Sequence, residues 1–138
     1  MKQRVLFICT GNRARSQMGE GILRHLAGDR FEVHSAGILP SGIAEQTVRV
    51  MREAGIDASG QWSKHVDEFV VRPFEYVITV CESARQECPV FPNAGQVLHW
   101  DVEDPSDTFE RGGTLIDAFR VARDEIKRRV EDWLGDQR

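Results

Sequence analysis

Apolar residues along this chain form short continuous runs, separated by longer segments in which they recur every three or four positions. The continuous runs are rich in β-branched and aromatic residues, which predicts buried strands. They cover residues 5–8, 31–36, 76–80 and 96–100. The periodic segments predict amphipathic helices. Their apolar faces are formed by Met18, Ile22, Leu23 and Leu26 in the first helix, by Ile43, Val48, Met51 and Ala54 in the second, and by Leu115, Phe119, Ala122, Ile126, Val130 and Trp133 in the last.

Smaller signals predict where these elements end. Gly28 and Gly55 follow the first two helices, at the position where a glycine commonly ends a helix. Thr114 and Asp117 have the spacing of a capping pair at the start of the last helix. Residues 68–73 are expected to form a short helical turn, and Trp62 is interpreted as a packing residue.

Strands that alternate with helices predict an α/β fold with a mainly parallel four-stranded sheet and helices on both faces. A chain of 138 residues is long enough for one such three-layer domain, and we expect a single domain over residues 1–138. Ligands of these sheets bind beyond the carboxyl ends of the strands. Cys9 and Cys81 end two predicted strands and Asp104 follows another, so all three are expected at one rim.

Composition excludes several classes of protein. Hydrophobic residues make up 41% of the chain and charged residues 29%, values that are typical of a soluble globular protein. No apolar run approaches twenty residues and the N-terminus does not resemble a signal peptide, so a cytoplasmic protein without membrane contact is expected. The net charge of -4 argues against general nucleic-acid binding. The four histidines lack metal-ligand spacing, and no metal site is expected.

The stretch Cys9-Thr10-Gly11-Asn12-Arg13-Ala14-Arg15-Ser16 lies between the first predicted strand and the first predicted helix. Such a junction aims several backbone N–H groups and the positive end of the helix dipole at one point, which is an anion site. Gly11 and Asn12 suit a tightly turned backbone. Arg15 can hold a tetrahedral oxyanion through two parallel hydrogen bonds, and the local positive charge favours a Cys9 thiolate. The stretch therefore predicts a nucleophile beneath a bound anion, rather than a buried cysteine beside an unrelated arginine.

A second pair of cysteines, Cys81 and Cys88, is separated by six residues. On a helix the two would share a face and lie about 10.5 Å apart along the axis. A disulfide needs Cα atoms within roughly 7 Å, so the helix would have to unwind before they could pair. Ser83 and Pro89 weaken a helix here, and the segment is interpreted as one that rearranges. Two cysteines without chemistry remain an alternative, and a zinc site is disfavoured because no fourth ligand is evident.

The stretch from Cys9 to Ser16 resembles the anion loop of the low-molecular-weight protein tyrosine phosphatase superfamily, which includes the thioredoxin-coupled arsenate reductases. Further matches to the three-cysteine arsenate reductases run along nearly the whole chain. They are Ser16-Gln17-Met18, Cys81-(six residues)-Cys88-Pro89, His99-Trp100 and Asp104-Pro105. The resemblance implies reduction of arsenate, with thioredoxin as the electron donor and no cofactor.

The resemblance also implies a role for each site residue. An arsenate or phosphate oxyanion would bind to the loop formed by Thr10, Gly11, Asn12, Arg13, Ala14, Arg15 and Ser16. Cys9 would attack arsenate held by Arg15, and Asp104 would protonate the departing oxygen. Cys81 would then attack Cys9, and Cys88 would attack Cys81 to carry the disulfide outward. Read alone, Asp104 is a loop aspartate, and Arg13 is either a solvated side chain or a source of positive potential.

One departure from the family pattern concerns potassium. Potassium-binding members use an asparagine, a glutamate, a serine and an aspartate, and the first three are matched by Asn12, Glu20 and Ser35. Lys64 stands where the aspartate would be. Because an ammonium group repels a cation, no bound potassium is expected.

Two alternatives to the reductase stay open. A phosphatase would use Cys9, Arg15 and Asp104, with water resolving the Cys9 adduct. Dedicated tyrosine phosphatases of the superfamily commonly carry aromatic residues after the Asp-Pro pair, where this chain has Ser106 and Asp107. The residues 38–40 supply no aromatic side chain either. A non-enzymatic module for anion binding or redox sensing would have no need of a general acid at Asp104.

Overall fold

Strands and helices alternate in the computed structural model, which describes residues 2–105 and 114–137. The strands are β1 (Gln3–Cys9), β2 (Phe31–Gly37), β3 (Phe74–Thr79) and β4 (Ala94–His99). The helices are α1 (Arg15–Ala27), α2 (Glu45–Glu53), α3 (Glu82–Glu87) and α4 (Leu115–Asp136). Ser106 and Asp107, which the phosphatase alternative invokes, lie outside the described residues.

The four strands form one parallel sheet in the order β2-β1-β3-β4, which confirms the predicted fold class. Residues 5–9 of β1 are all buried, although successive side chains of a strand point to opposite faces. Both faces of the sheet are therefore covered at its centre, as a continuous apolar run predicts. The edge strand β4 has exposed residues along its middle, including Val97.

Helix α1 packs on β1 and β2 and also contacts α4. Met18, Ile22 and Leu23 are buried as predicted, but Leu26 is 41% exposed and its assignment to the apolar face is wrong. In the last turn of α1 the buried position is Ala27 instead. The first half of the helix is buried on nearly all sides, so the apolar spacing identified buried positions there and was wrong about the last turn.

The buried face of α2 also differs from the prediction. Thr47, Val50 and Met51 are buried, whereas Val48 is half-buried and Ala54 is exposed. The reason lies in Thr47, whose hydroxyl donates a hydrogen bond to the Arg13 carbonyl at 3.0 Å. This bond turns a polar residue of α2 toward the loop between β1 and α1.

The predicted ends of the helices are largely confirmed. Gly28 is the C-cap of α1, and Gly55 follows α2 with a φ of +79°, in the left-handed region that glycine adopts at little cost. The Thr114 hydroxyl accepts a hydrogen bond from the Asp117 backbone N–H at 3.2 Å. In the part of the chain that the structure describes, no helix is long and apolar enough to cross a membrane.

Two predictions between α2 and β3 need correction. The helical turn expected at residues 68–73 begins earlier, with a 3-10 helix over Val66–Glu68 that His65 and Glu68 cap reciprocally. A further turn follows, closed by a hydrogen bond of 3.0 Å from the Arg72 N–H to the Phe69 carbonyl. Trp62 is not a packing residue, since it is 65% exposed. Its ring lies beneath the Lys64 ammonium, with 4.7 Å from Nζ to the ring centroid, a cation–π contact.

Candidate active site

The loop of residues 10–14 joins β1 to α1, and its conformation depends on Asn12. This residue is fully buried and has a φ of +47°, the left-handed conformation that asparagine tolerates. Its Oδ1 accepts a hydrogen bond from the Lys64 backbone N–H at 2.9 Å. Its carbonyl accepts hydrogen bonds from Gln17 Nε2 at 3.1 Å and from Ser63 Oγ at 2.7 Å. The loop is thus fixed by groups from α1 and from residues 63–64.

Gly37, at the end of β2, allows this loop to approach the sheet. A Cβ at Gly37 would lie 2.7 Å from the Thr10 carbonyl oxygen and 2.8 Å from the Asn12 nitrogen. Both are backbone atoms, so a side chain here would displace the loop. The sequence gives no signal for this role, because a single glycine that follows a strand is also typical of an ordinary turn.

Cys9 is the last residue of β1 and is only 3% exposed. Its Sγ lies 2.8 Å from Ser16 Oγ, which in turn accepts a hydrogen bond from Asn12 Nδ2 at 2.8 Å. Because the asparagine amide occupies one lone pair of the hydroxyl, the single hydroxyl proton is available to the sulfur. Ser16 thus links the Cys9 sulfur to the buried side of the loop.

Arg15 and Asp104 face the same cavity as Cys9. The Arg15 guanidinium donates to the Val102 carbonyl at 2.9 Å, and its second terminal nitrogen lies 3.4 Å from Asp104 Oδ2. The cavity has a volume of about 260 Å³. It is lined by Cys9, Thr10, Gly11, Arg13, Ala14, Arg15, Asp104, Pro105 and Phe119. A small tetrahedral anion would therefore meet a thiol, a guanidinium and a carboxyl group together.

The predicted oxyanion-binding residues fall into two groups. Thr10, Gly11, Arg13, Ala14 and Arg15 line the cavity, with Arg13 exposed at its mouth. Asn12 and Ser16 are fully buried behind it, where their side chains hold each other and Cys9.

Cys81 adjoins this site from the end of β3. It is 4% exposed, and its Sγ lies 3.4 Å from the Thr10 hydroxyl of the anion loop. Cys81 is also the N-cap of α3 and accepts a hydrogen bond from the Ala84 backbone N–H at 3.4 Å. A hydroxyl and an amide therefore both reach the Cys81 sulfur.

Cys88 lies at the opposite end of α3, as its C-cap. All three cysteines are free thiols in this structure, and Cys88 is half-buried. Burial raises the pKa of the Cys88 thiol to about 11. The Cys81–Cys88 segment is thus helical here, with its two thiols in different surroundings.

The residues that match the potassium-binding pattern form a buried polar cluster. The Ser35 hydroxyl donates to Glu20 Oε1 at 2.6 Å, and the Lys64 ammonium lies 3.5 Å from the same oxygen. That ammonium also donates to the Trp62 carbonyl at 2.6 Å. Burial lowers the pKa of Lys64, and the charge of Glu20 opposes that shift. A cation bound to the Glu20 carboxylate would lie within a few ångströms of an ammonium, so these residues do not fit potassium.

No group of three or more His, Cys, Asp or Glu side chains that could hold a metal ion occurs among the described residues. Trp100 and Trp133, interpreted as core residues, are each 8% exposed and pack against Phe7 and Phe31 respectively.

Comparisons with known proteins agree with this geometry. The chain is 36% identical over 132 residues to arsenate reductase 2 of Staphylococcus epidermidis, and the match covers 96% of each chain. A solved structure described as an arsenate reductase in the phosphate binding state superposes with a TM-score of 0.83 and 30% identity, covering 97% of this chain and 98% of that one. A thioredoxin-dependent arsenate reductase of Corynebacterium glutamicum superposes with a TM-score of 0.75 and 30% identity, covering 98% of this chain and 61% of that one.

The family model described as low molecular weight phosphotyrosine protein phosphatase matches residues 4–138. That range contains the anion loop, both further cysteines and Asp104. The chain therefore belongs to the low molecular weight phosphotyrosine protein phosphatase family.

Proposed function

We propose that this protein is an arsenate reductase in which Cys9, Cys81 and Cys88 form a disulfide relay. The observation that carries the proposal is the contact of Cys81 Sγ with Thr10, at 3.4 Å, which sets a second thiol beside the loop that would hold the anion. A phosphatase has no use for that thiol. The similarity to proteins named arsenate reductases supports the same activity.

In the first step the Cys9 thiolate attacks the arsenic atom of arsenate held by the loop amides and Arg15. The oxygen that departs leaves as water once it has received a proton from Asp104. Because the Arg15 guanidinium is 3.4 Å from the Asp104 carboxylate, an arriving oxyanion would meet both groups at once.

In the second step Cys81 attacks the sulfur of Cys9. A Cys9–Cys81 disulfide forms, the arsenic–sulfur bond breaks with its electron pair remaining on arsenic, and arsenite leaves. Cys81 Sγ accepts a hydrogen bond from the Ala84 N–H at 3.4 Å and lies 3.4 Å from the Thr10 hydroxyl, so its attack begins at the edge of the loop that Cys9 precedes.

In the third step Cys88 attacks Cys81, and Cys9 leaves as a thiolate. Cys81 and Cys88 cap opposite ends of α3, so the helix must unwind to close a separation of about 10.5 Å to disulfide range. The resulting disulfide includes the half-buried Cys88, and it therefore offers a protein reductant better access than the buried Cys9–Cys81 pair.

Thioredoxin is the reductant that we propose for the Cys81–Cys88 disulfide. The thioredoxin-dependent relative from Corynebacterium glutamicum supports this partner. A cytoplasmic setting would suit the reaction, since reducing conditions there keep the three thiols free.

Hydrolysis of a phosphate ester is the second candidate, because a phosphatase would use the same arrangement of Cys9, Arg15 and Asp104 around one cavity. One experiment distinguishes arsenate reduction from ester hydrolysis. Reduced enzyme is supplied with arsenate, thioredoxin, thioredoxin reductase and NADPH, and in parallel with an aryl phosphate. We expect sustained NADPH oxidation that depends on arsenate, with slow or no ester hydrolysis. Ester hydrolysis without arsenate-dependent NADPH oxidation would reject the reductase and favour the phosphatase.

A further inference from the structure

His99 ends β4, next to Thr79 of β3. Its Nδ1 lies 2.8 Å from the Thr79 hydroxyl oxygen, and that hydroxyl donates to the Leu98 carbonyl at 3.4 Å. In the tautomer in which Nδ1 donates its hydrogen to the Thr79 hydroxyl, the single hydroxyl proton stays available to Leu98 and the lone pair of the neutral imidazole is on Nε2.

Nε2 of His99 is buried and has no hydrogen-bond partner in residues 2–105 and 114–137, the part that the structure describes. Glu82 Oε2 lies 3.6 Å away, beyond hydrogen-bond distance. An unsatisfied buried polar atom is costly, and in a native structure it requires an explanation. A role as proton acceptor during the reaction would explain why Nε2 of His99 is left without a hydrogen-bond partner among these residues.

His99 and Cys88 line the same cavity, which has a volume of about 460 Å³ and is separate from the anion site. The thiolate is the nucleophile in disulfide exchange. With a pKa of about 11, only about one Cys88 thiol in 10⁴ is ionised at pH 7. Cys88 Sγ has the Pro89 carbonyl as an acceptor at 3.4 Å, but a carbonyl cannot take the proton away.

We propose that His99 Nε2 accepts the proton of the Cys88 thiol as Cys88 attacks the Cys9–Cys81 disulfide. This role rests on the relay of the proposed function. The S–H bond of Cys88 breaks and its proton goes to Nε2, while the Cys88–Cys81 bond forms. The Cys81–Cys9 bond breaks, and Cys9 leaves with the electron pair as a thiolate.

Among the described residues, Glu82 and Arg85 of α3 bring charge near His99. The Glu82 carboxylate, 3.6 Å from Nε2, stabilises the imidazolium that the transfer creates. The Arg85 guanidinium, which lines the same cavity, opposes it but is itself 3.5 Å from Glu82. Thr79, on β3, is neutral. Glu82, which follows Cys81 in the chain, thus stabilises the positive charge that His99 gains when it takes the proton of Cys88.

The test uses His99→Asn in the full-length enzyme, since the asparagine amide can still donate to Thr79 while Nε2 is removed. Reduced enzyme is mixed with arsenate without reductant, quenched with acid at intervals, and its disulfides are mapped by mass spectrometry. We expect arsenite release and Cys9–Cys81 formation at the wild-type rate, followed by conversion to Cys81–Cys88 that is slowed about 10²–10⁴-fold at pH 7.

Two readouts separate proton transfer from a structural role. The difference in conversion rate between His99→Asn and the wild type should shrink as the pH rises. At higher pH a larger fraction of the Cys88 thiol is ionised without a proton acceptor in the protein. Added imidazole should accelerate the conversion in the variant and not in the wild type. His25→Asn, at an exposed position of α1, is the matched control and should behave as wild type.

Conversion at the wild-type rate in His99→Asn would overturn the role of His99 and leave the relay intact. Equal slowing of both disulfide steps would overturn it too, since His99 would then support only the fold. If wild-type enzyme forms no Cys9–Cys81 disulfide with arsenate, the proposed function fails, and the role of His99 fails with it.

Discussion

The anion loop, residues 9–16, and the relay segment, residues 81–88, each begin with a cysteine. Cys9 is the last residue of β1, and Cys81 follows β3 as the N-cap of α3. Their surroundings differ. The loop is fixed by hydrogen bonds that converge on Asn12 from Gln17, Ser63 and Lys64. In the relay segment Ala84 is buried, while Glu82, Ser83, Arg85, Gln86 and Glu87 are exposed.

This difference matches two kinds of work. Stabilising charge on a bound oxyanion requires donors that are already in place before the reaction. Passing a disulfide along the chain requires a segment that changes shape at low cost, and a six-residue helix is only marginally stable by itself. The anion loop is thus held by many contacts and the relay segment by few, although each of them contains a reactive cysteine.

The largest expected effect lies in the loop. Cys9→Ser should abolish arsenate reduction and any hydrolysis of aryl phosphates, because a serine hydroxyl has no comparable anionic form at neutral pH. Arg15→Lys should also impair both activities severely, since a point charge lacks the paired geometry of the guanidinium. Steady-state assays of each variant check this. Near-normal turnover by either variant would remove the loop from the mechanism.

Asp104→Asn should slow the first chemical step about 10²–10⁴-fold and leave oxyanion binding largely intact, because it removes the proton donor while keeping the side-chain size. The measurement is single-turnover arsenite release in rapid-quench experiments, with phosphate competition as the binding control. An unchanged rate would show that Asp104 is only a turn residue.

For the relay segment, Cys88 should react slowly with iodoacetamide in the reduced enzyme. At pH 8 its alkylation should be about 10²-fold slower than that of a thiol with the ordinary pKa of 9.0, because burial raises the Cys88 pKa to about 11. The rate should rise roughly tenfold per pH unit up to about pH 11. Site-resolved mass spectrometry measures it, with guanidinium-denatured protein as the control. Equal rates in the two states would contradict the account.

Gly37→Ala should lower the free energy of unfolding by about 1–3 kcal/mol, because the new Cβ would clash with backbone atoms of Thr10 and Asn12 in the anion loop. Gly135→Ala, near the end of α4 with nothing within 4 Å of its Cβ, is the matched control and should be neutral or stabilising. Urea unfolding measures both. Bound phosphate should protect Cys9 from alkylation in the wild type and in Gly135→Ala. This protection should be lost in Gly37→Ala. If both variants behave alike, the close approach at Gly37 is unimportant.

The sequence predicted the sheet and the position of the cysteines well. Continuous apolar runs such as residues 5–8 indicate central strands because both faces are buried, and Asn12 was assigned to a tight turn from its side-chain chemistry. The helix faces were less predictable. Leu26 and Ala54 are exposed because the buried side of each helix is set by tertiary partners, such as the Thr47–Arg13 hydrogen bond, that periodicity does not contain.

Contacts between distant segments were the least predictable part of the site. Gly37, at the end of β2, lies close to Thr10, which follows β1. The Arg15–Val102 hydrogen bond connects residues that are 87 positions apart in the sequence. The orientation of His99, with Nδ1 beside Thr79 and Nε2 buried without a hydrogen-bond partner among the described residues, depends on strand register. Single residues carry no local signal for such pairings.

The relay is tested most directly by Cys88→Ser, mixed with arsenate and then mapped for disulfides. The variant should release about one equivalent of arsenite and stop with Cys9 bonded to Cys81, while wild-type enzyme accumulates Cys81–Cys88. Multiple turnover with thioredoxin should largely cease, and any aryl phosphatase activity should survive. Full thioredoxin-linked turnover by Cys88→Ser would contradict the relay and favour the phosphatase.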